Sequence, residues 1–96
     1  MHFIVHCLDH ENALQRRLLN YEAHKEYLAN AEVQSIIWGP LVSDDGETII
    51  GSCFMVDAES KEDVIQFNRN DPFAVAGVWR QVNIHGFLKR VDNREK

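Results

Sequence analysis

Residues that break regular structure are scarce in this chain. Its 96 residues include two prolines, two cysteines and five glycines. This shortage excludes a low-complexity chain rich in proline or glycine, and the sequence contains no internal repeat. Cys7 and Cys53 lie in apolar, strand-like segments without a Cys-x-x-Cys spacing, which predicts buried and reduced side chains. A disulfide between them is the alternative.

Basic residues and long apolar runs are also in short supply. Lysine and arginine total 10 against 15 acidic residues, so the net charge is -5 and the average field repels polyanions. Nucleic acid is therefore not an expected partner. No apolar run approaches the roughly 20 residues that cross a bilayer, so no membrane association is expected either. The amino terminus lacks a basic segment and leads directly into a strand pattern, which predicts a cytoplasmic protein without a secretory signal.

The periodicity of the apolar residues changes in a regular order along the chain. The pattern predicts strands at residues 2–8, 33–38, 49–56 and 78–88, helices at 11–30 and 60–70, and one helical turn at 74–77. This order predicts an α+β fold, the ferredoxin-like βαββαβ sandwich, with a four-stranded antiparallel sheet and two helices on one face. Residues 1–96 then form a single domain, and its charged tail at 92–96 is expected to be disordered.

Polar residues mark where the two helices are expected to begin. Asp9 or Asn12 can cap the first helix, because a short polar side chain accepts a hydrogen bond from a free backbone amide. The second helix begins with a capping-box-like segment from Ser60 to Asp63.

Two dipeptides with turn chemistry follow the second strand. Gly39-Pro40 is expected to end that strand, because proline has no amide proton to donate to a neighbouring strand. Asp45-Gly46 predicts a tight reversal, since glycine readily adopts a positive φ. A hairpin therefore joins the second and third strands.

Apolar residues occupy both faces of the predicted sheet. In the first strand Phe3 and Val5 alternate with Ile4 and Leu8, and one face alone can be covered by the helices. A domain of this size buries only about two-thirds of its unfolded surface, so its core is thin. We therefore expect a homodimer in which two sheets pack together. The alternative is a loosely alternating sheet that leaves some apolar residues exposed.

His24 stands out on the first predicted helix. The spacing places it on one face with Leu14, Leu18, Tyr21 and Leu28, so its imidazole is expected to point inward. An inward histidine is either a hydrogen-bonded core residue or a group that transfers protons.

Asp71 is the acidic residue of most interest. Its position before Pro72 is typical of a helix N-cap, which is a purely structural role. A carboxylate that is bonded to one imidazole nitrogen also fixes the tautomer and raises the basicity of the other nitrogen. The two roles are compatible.

The remaining candidates are weaker. Arg17 lies on the same helical stripe and can hold an anionic oxygen of a substrate, or it can be a solvated cation. Tyr21 can pack as a wall of the pocket, the favoured interpretation, or donate its hydroxyl. Ser52 can contribute a hydroxyl group without being part of a nucleophile elbow. His2 and His6 share a strand face but lack a convincing third ligand, so no metal is expected.

Several motifs in this order resemble those of the YCII-related, or YciI-like, family. They are Arg17, His24 and Leu28 on helix one, Gly39-Pro40, Gly51-Ser52, Asp71-Pro72-Phe73 and Ala76-Gly77-Val78. The likeness extends from residue 3 to about residue 89. It implies a subunit of the dimeric α/β-barrel group with a catalytic pair between helices and sheet, and carried over by residue this pair is His24 and Asp71. The family includes a dehydrochlorinase of a chlorinated hydroxyhydroquinone, and muconolactone isomerase-like enzymes share the wider fold.

The sequence thus predicts a small-molecule enzyme or binding protein that works without a cofactor. Its expected chemistry is proton transfer, elimination or isomerisation on a small aromatic or enolic anion, with His24 as acid or base and Asp71 as its orienting partner. The alternative is a non-catalytic dimeric module for ligand binding or assembly, in which His24 and Asp71 form a structural hydrogen bond.

Overall fold

The strands and helices follow one another along the chain in the order that the sequence predicts. The computed structural model describes residues 1–95. Its elements are β1 (His2–Asp9), α1 (Leu14–Asn30), β2 (Gln34–Val42), β3 (Ile49–Asp57), α2 (Lys61–Arg69), α3 (Pro72–Val75) and β4 (Trp79–Phe87), then a 3-10 turn (Asn93–Glu95). Lys96 lies outside the described residues, and the disorder expected for the tail at 92–96 stays a prediction.

The four strands form one antiparallel sheet in the order β2-β3-β1-β4. Successive side chains of the two central strands, β1 and β3, point to opposite faces of the sheet. On the helix side they bury Phe3, Val5 and Cys7 of β1 and Phe54 and Val56 of β3. The expected ferredoxin-like α+β fold is therefore confirmed. None of the described helices is long and apolar enough to cross a membrane.

None of the helices in residues 1–95 lies over the opposite face of the sheet. Strand register places Ile4 of β1 beside Met55 of β3 and His85 of β4, and Ile37 of β2 on the other side of Met55. Ile37 is exposed, as is Phe87 near the end of β4. Apolar side chains thus occupy both faces, as the sequence indicates.

The prediction that Gly39-Pro40 ends the second strand is wrong. β2 continues through both residues to Val42, and Pro40 pairs with Ser52 of β3. β2 is an edge strand with no neighbouring strand on its outer side, so the missing amide proton of Pro40 removes no hydrogen bond there. The predicted hairpin turn is present, with Gly46 at φ 76°.

The first helix begins three residues later than the pattern predicts. Asn12 adopts φ 60°, a left-handed conformation that asparagine tolerates, and Ala13 is the N-cap residue without a side-chain bond. Neither Asp9 nor Asn12 caps the helix, so that prediction is wrong. In the second helix the hydroxyl of Ser60 accepts the amide proton of Asp63, as expected.

The inward stripe of α1 differs from the one that its leucines predict. Leu14 and Leu18 are 53% and 60% exposed, and Tyr21 is 42% exposed. The stripe that faces the sheet instead carries Arg17 and His24 together with Leu28. The inward position expected for His24 is therefore correct, although the apolar face used to infer it was misplaced.

Cys7 and Cys53 point to opposite faces of the sheet. Cys53 pairs with His6, the neighbour of Cys7, and successive residues of a strand alternate between faces. An intrachain disulfide between the two thiols is incompatible with this register.

Candidate active site

His24 of α1 lies against Asp71, the N-cap residue of α3. Nδ1 of His24 lies 2.8 Å from Oδ1 and 2.9 Å from Oδ2 of Asp71. Only 2% of His24 and 1% of Asp71 is exposed. An ionised carboxylate can only accept, so the shared proton belongs to Nδ1, and in the neutral imidazole Nε2 then carries the lone pair.

Nε2 of His24 is the nitrogen left free for chemistry. It has no hydrogen-bond partner among the described residues. An unpaired nitrogen on an oriented imidazole can accept a proton.

The position of Asp71 follows from its local sequence. Asp71 has extended backbone angles, Pro72 occupies the first position of α3, and Oδ1 of Asp71 accepts the amide proton of Phe73 at 2.8 Å. Proline has no amide proton and its φ is preset for a helix, which fixes the start of α3 at this point. The carboxylate therefore caps α3 and holds His24 at the same time.

Aromatic rings enclose the imidazole on several sides. Phe73 stacks on it with ring centres 3.9 Å apart and planes at 9°. Trp38, Phe54 and Trp79 meet it edge-on, with ring centres 5.3, 5.9 and 6.5 Å away. These rings keep bulk water from the pair, which strengthens its electrostatic interaction.

Arg17 lies two helical turns before His24 and forms a second buried polar group. Nε and Nη2 donate to the two carboxylate oxygens of Asp9, each at 2.9 Å. Nη2 also donates to the Ser52 hydroxyl at 2.7 Å, and the guanidinium lies 4.8 Å from the centre of the Phe73 ring. Phe73 thus contacts both Arg17 and His24.

Ser52 reaches this group because Gly51 allows β3 to approach β1 closely. A Cβ atom at Gly51 would overlap the carbonyl oxygen of Cys7. The next residue, Ser52, points to the helix side, where its oxygen accepts from Arg17 and, at 3.3 Å, from Nε1 of Trp79. The structure therefore brings four predicted site residues together in two adjoining groups: His24, Asp71, Arg17 and Ser52.

Tyr21, the fifth predicted residue, lies outside these groups. Its ring is partly exposed, with the Lys25 ammonium 5.0 Å from the ring centre. Its role as a ligand contact stays a prediction. His2 and His6 point to the open face of the sheet, and residues 1–95 contain no cluster of three ligands suited to a metal ion.

The sequence did not reveal four further residues of the site. Asp9 at the end of β1 pairs with Arg17, and Trp38 and Trp79 line the imidazole. Arg16 donates from Nη1 to the carbonyl of Gly77 at 2.7 Å, which ties α1 to the end of α3. A carboxylate at a strand end, eight residues before an inward arginine, is the one signal that could have identified Asp9.

Cys7 pairs with Ser52 across the two central strands but is not suited to nucleophilic chemistry. Burial raises the pKa of its thiol from 9.0 to about 12, partly offset by a hydrogen bond from Asn68. The thiolate, which is the nucleophilic form, is therefore almost absent near neutral pH.

A separate cavity of about 820 Å³ lies between the ends of α1 and α2. Tyr27 and Phe67 line it, and His24 and Asp71 do not.

The fold and the site define a class of small ferredoxin-like α+β proteins with a buried histidine and aspartate between helices and sheet. Within that class the chain belongs to the family of the YCII-related domain, whose sequence profile matches residues 1–88. The resemblance seen in the motifs is thereby confirmed.

The chain is similar to several solved structures, and two of them are informative here. One is 5-chloro-2-hydroxyhydroquinone dehydrochlorinase from Burkholderia phenoliruptrix in complex with 2,5-dihydroxybenzoquinone; it is 32% identical, the match covers 92% of this chain and 94% of that one, and the TM-score is 0.78. The other is a protein from Arabidopsis thaliana, 14% identical over 95% of this chain and 96% of that one, with a TM-score of 0.53, a likeness in fold alone. No curated protein matches the chain.

Proposed function

We propose that this protein is a cofactor-independent enzyme that transfers a proton on a small aromatic or enolic anion, with His24 as the acid or base. The observation that carries this proposal is the unpaired Nε2 on an imidazole whose other nitrogen is held by a buried carboxylate. Family membership and the similarity to a dehydrochlorinase favour this class of reaction.

The chemistry begins with proton transfer to Nε2 of His24 from a hydroxyl or C–H group of the ligand. The electron pair left on the ligand enters its conjugated system. In an elimination this electron pair expels a substituent as an anion, and Nε2 then releases its proton to water. In an isomerisation the electron pair takes the proton back from Nε2 at another carbon. Asp71 stabilises the imidazolium that exists between these steps.

Charge balance favours a ligand that enters the site neutral and becomes an anion when it gives its proton to His24. Arg17 and Asp9 neutralise each other, and Asp71 faces an imidazole that becomes positive when it accepts the proton. A neutral enol or phenol that gives its proton to His24 thus becomes an anion beside an imidazolium, with Arg17 nearby. We assign Arg17 to the anionic oxygen, Tyr21 to the rim and Ser52 to the interior of this site.

We also propose that the protein works as a homodimer. The uncovered face of the sheet carries Ile4, Ile37, Met55 and Phe87, and a second copy of the same sheet is the simplest cover for it. The dimer buries apolar side chains that a domain of 96 residues otherwise exposes to water.

The second candidate is a non-catalytic binding or assembly module. One observation favours it, because the pair is almost closed off from solvent and makes a good structural hydrogen bond. In that case His24 stabilises the core, and its replacement lowers stability without affecting a reaction.

The deciding experiment combines a substrate screen with variants of the pair. Purified protein is incubated with chlorinated hydroxyhydroquinones and with enol lactones, and chloride release and the ultraviolet spectrum are followed. Wild-type turnover that falls at least about 10²-fold in His24→Ala, with a folded protein, supports the enzyme. His10→Ala, an exposed histidine before α1, is the matched control and should retain full turnover. Unchanged turnover in His24→Ala would contradict the proposal.

A further inference from the structure

Ser52 has an unusual set of hydrogen-bond partners. Its oxygen accepts from Nη2 of Arg17 at 2.7 Å and from Nε1 of Trp79 at 3.3 Å. Guanidinium and indole nitrogens can only donate, so neither of them can receive the hydroxyl proton of Ser52. In both bonds the nitrogen is therefore the donor and the Ser52 oxygen is the acceptor.

The hydroxyl proton of Ser52 has no acceptor among the described residues. Ser52 is 3% exposed, so bulk water does not satisfy this proton either. A buried donor without an acceptor is costly, and such groups call for an explanation. The bond from the Arg17 guanidinium also draws electron density from the oxygen, which makes the hydroxyl a better donor.

Three polar groups with unused capacity lie around Arg17 and the ring of Phe73. Nε2 of His24 and Nη1 of Arg17 have no hydrogen-bond partner in the described part of the chain, and the hydroxyl proton of Ser52 has no acceptor there. The imidazole and the guanidinium both contact the Phe73 ring, 3.9 and 4.8 Å from its centre, and Ser52 is bonded to the same guanidinium.

We propose that Ser52 donates its hydroxyl proton to an oxygen atom of the ligand. This inference rests on the proposed function and narrows the substrate class. The ligand is a small planar ring with an acceptor oxygen, such as a phenolate or quinone carbonyl, at the Arg17 end. At its other end it carries the hydroxyl or C–H group that exchanges a proton with His24.

The same bonds argue against Ser52 as a nucleophile. A nucleophilic serine gives its proton to an adjacent base, and no hydrogen bond joins Ser52 to His24. Its oxygen also already accepts two N–H groups, which lowers its nucleophilicity. Ser52 therefore acts as a hydrogen-bond donor that remains unmodified during the reaction.

The test is equilibrium binding of 2,5-dihydroxybenzoquinone, which offers oxygen atoms on opposite sides of its ring. Affinity is measured by titration calorimetry for the wild type, Ser52→Ala and Ser52→Cys, and thermal unfolding checks that each variant is folded. Ser52→Ala should weaken binding about tenfold or more, because a charge-assisted hydrogen bond is lost. Ser52→Cys should fall between the two, since a thiol is a weaker donor of similar size.

Ser35→Ala is the matched control for this series. It makes the same substitution on the neighbouring strand, and the Ser35 hydroxyl oxygen has no partner to lose. Its affinity should equal that of the wild type. Binding that depends on His24 but is unchanged in folded Ser52→Ala would overturn the role of Ser52 and leave the proposed function standing. A wild type that does not bind 2,5-dihydroxybenzoquinone and turns over none of the screened compounds would overturn both.

Discussion

Asp71 serves two partners with one carboxylate. It accepts the amide proton of Phe73 at the start of α3 and the ring proton of His24. Each residue was a candidate on its own, because an aspartate before a proline is a recognisable cap and the helical pattern places the histidine inward. That the two meet was implied only by the resemblance to the family, since their contact depends on how α3 packs against α1.

Asp71→Asn should separate these roles. The amide oxygen of asparagine still accepts from the Phe73 amide, so the cap persists, whereas the negative charge beside the imidazolium is lost. We expect turnover to fall about 10²-fold or more with a melting temperature close to that of the wild type. Thermal unfolding and activity measured on one preparation test this. Retained turnover in a folded Asp71→Asn protein would make Asp71 a cap alone.

Gly51 sets the distance between the two central strands beside Ser52. Gly51→Ala should lower the free energy of unfolding by about 1–3 kcal/mol, because its new Cβ would overlap the Cys7 carbonyl oxygen of the backbone. Gly39→Ala is the control, since nothing lies within 4 Å of a Cβ at that position. Urea denaturation compares the two. Equal stability of both variants would show that β3 can move away from β1.

At the scale of elements, α1 shows what periodicity can and cannot reveal. Leu14 and Leu18 suggested the wrong inward stripe, because a pattern of apolar residues alone places leucines toward the core. Arg17 and His24 are buried instead, since Asp9 and Asp71 satisfy their polar groups. Those partners come from β1 and α3, which helical spacing cannot reveal.

The pair between β1 and α1 should be strongly coupled. Asp9→Ala leaves the Arg17 guanidinium buried without its partner and should cost about 3–5 kcal/mol of unfolding free energy. Asp9→Ala combined with Arg17→Met should recover part of this loss. The control is Glu22→Ala, which removes an exposed partner of Lys25 on the same helix and should cost under about 1 kcal/mol. Additive losses in a urea-denaturation cycle would refute the coupling.

At the scale of the whole molecule, the sheet has one covered and one open face. The order of elements and the α+β class were predictable because each strand and helix has its own periodicity. The end of β2 was not, because the edge position of Pro40 emerges only when the sheet is assembled.

A homodimer should form through the open face. Sedimentation equilibrium at micromolar concentration should give twice the mass of the 11.1 kDa chain. Met55→Glu places a charge at the centre of that face and should favour monomers, whereas Leu19→Glu, on the exposed side of α1, should not. A monodisperse, well-folded wild-type monomer would rule out the dimer.

Nitrogen NMR of His24 tests the central claim most directly, because it reports which ring nitrogen holds the proton. The protein is labelled with ¹⁵N and titrated with 2,5-dihydroxybenzoquinone at a pH where Nε2 begins unprotonated. Without ligand, the signals should show a proton on Nδ1, the nitrogen that faces Asp71. On binding, Nε2 should change towards a protonated or hydrogen-bonded state, and this change should be absent in Asp71→Asn. A ligand that binds without altering either nitrogen of His24 would contradict the account.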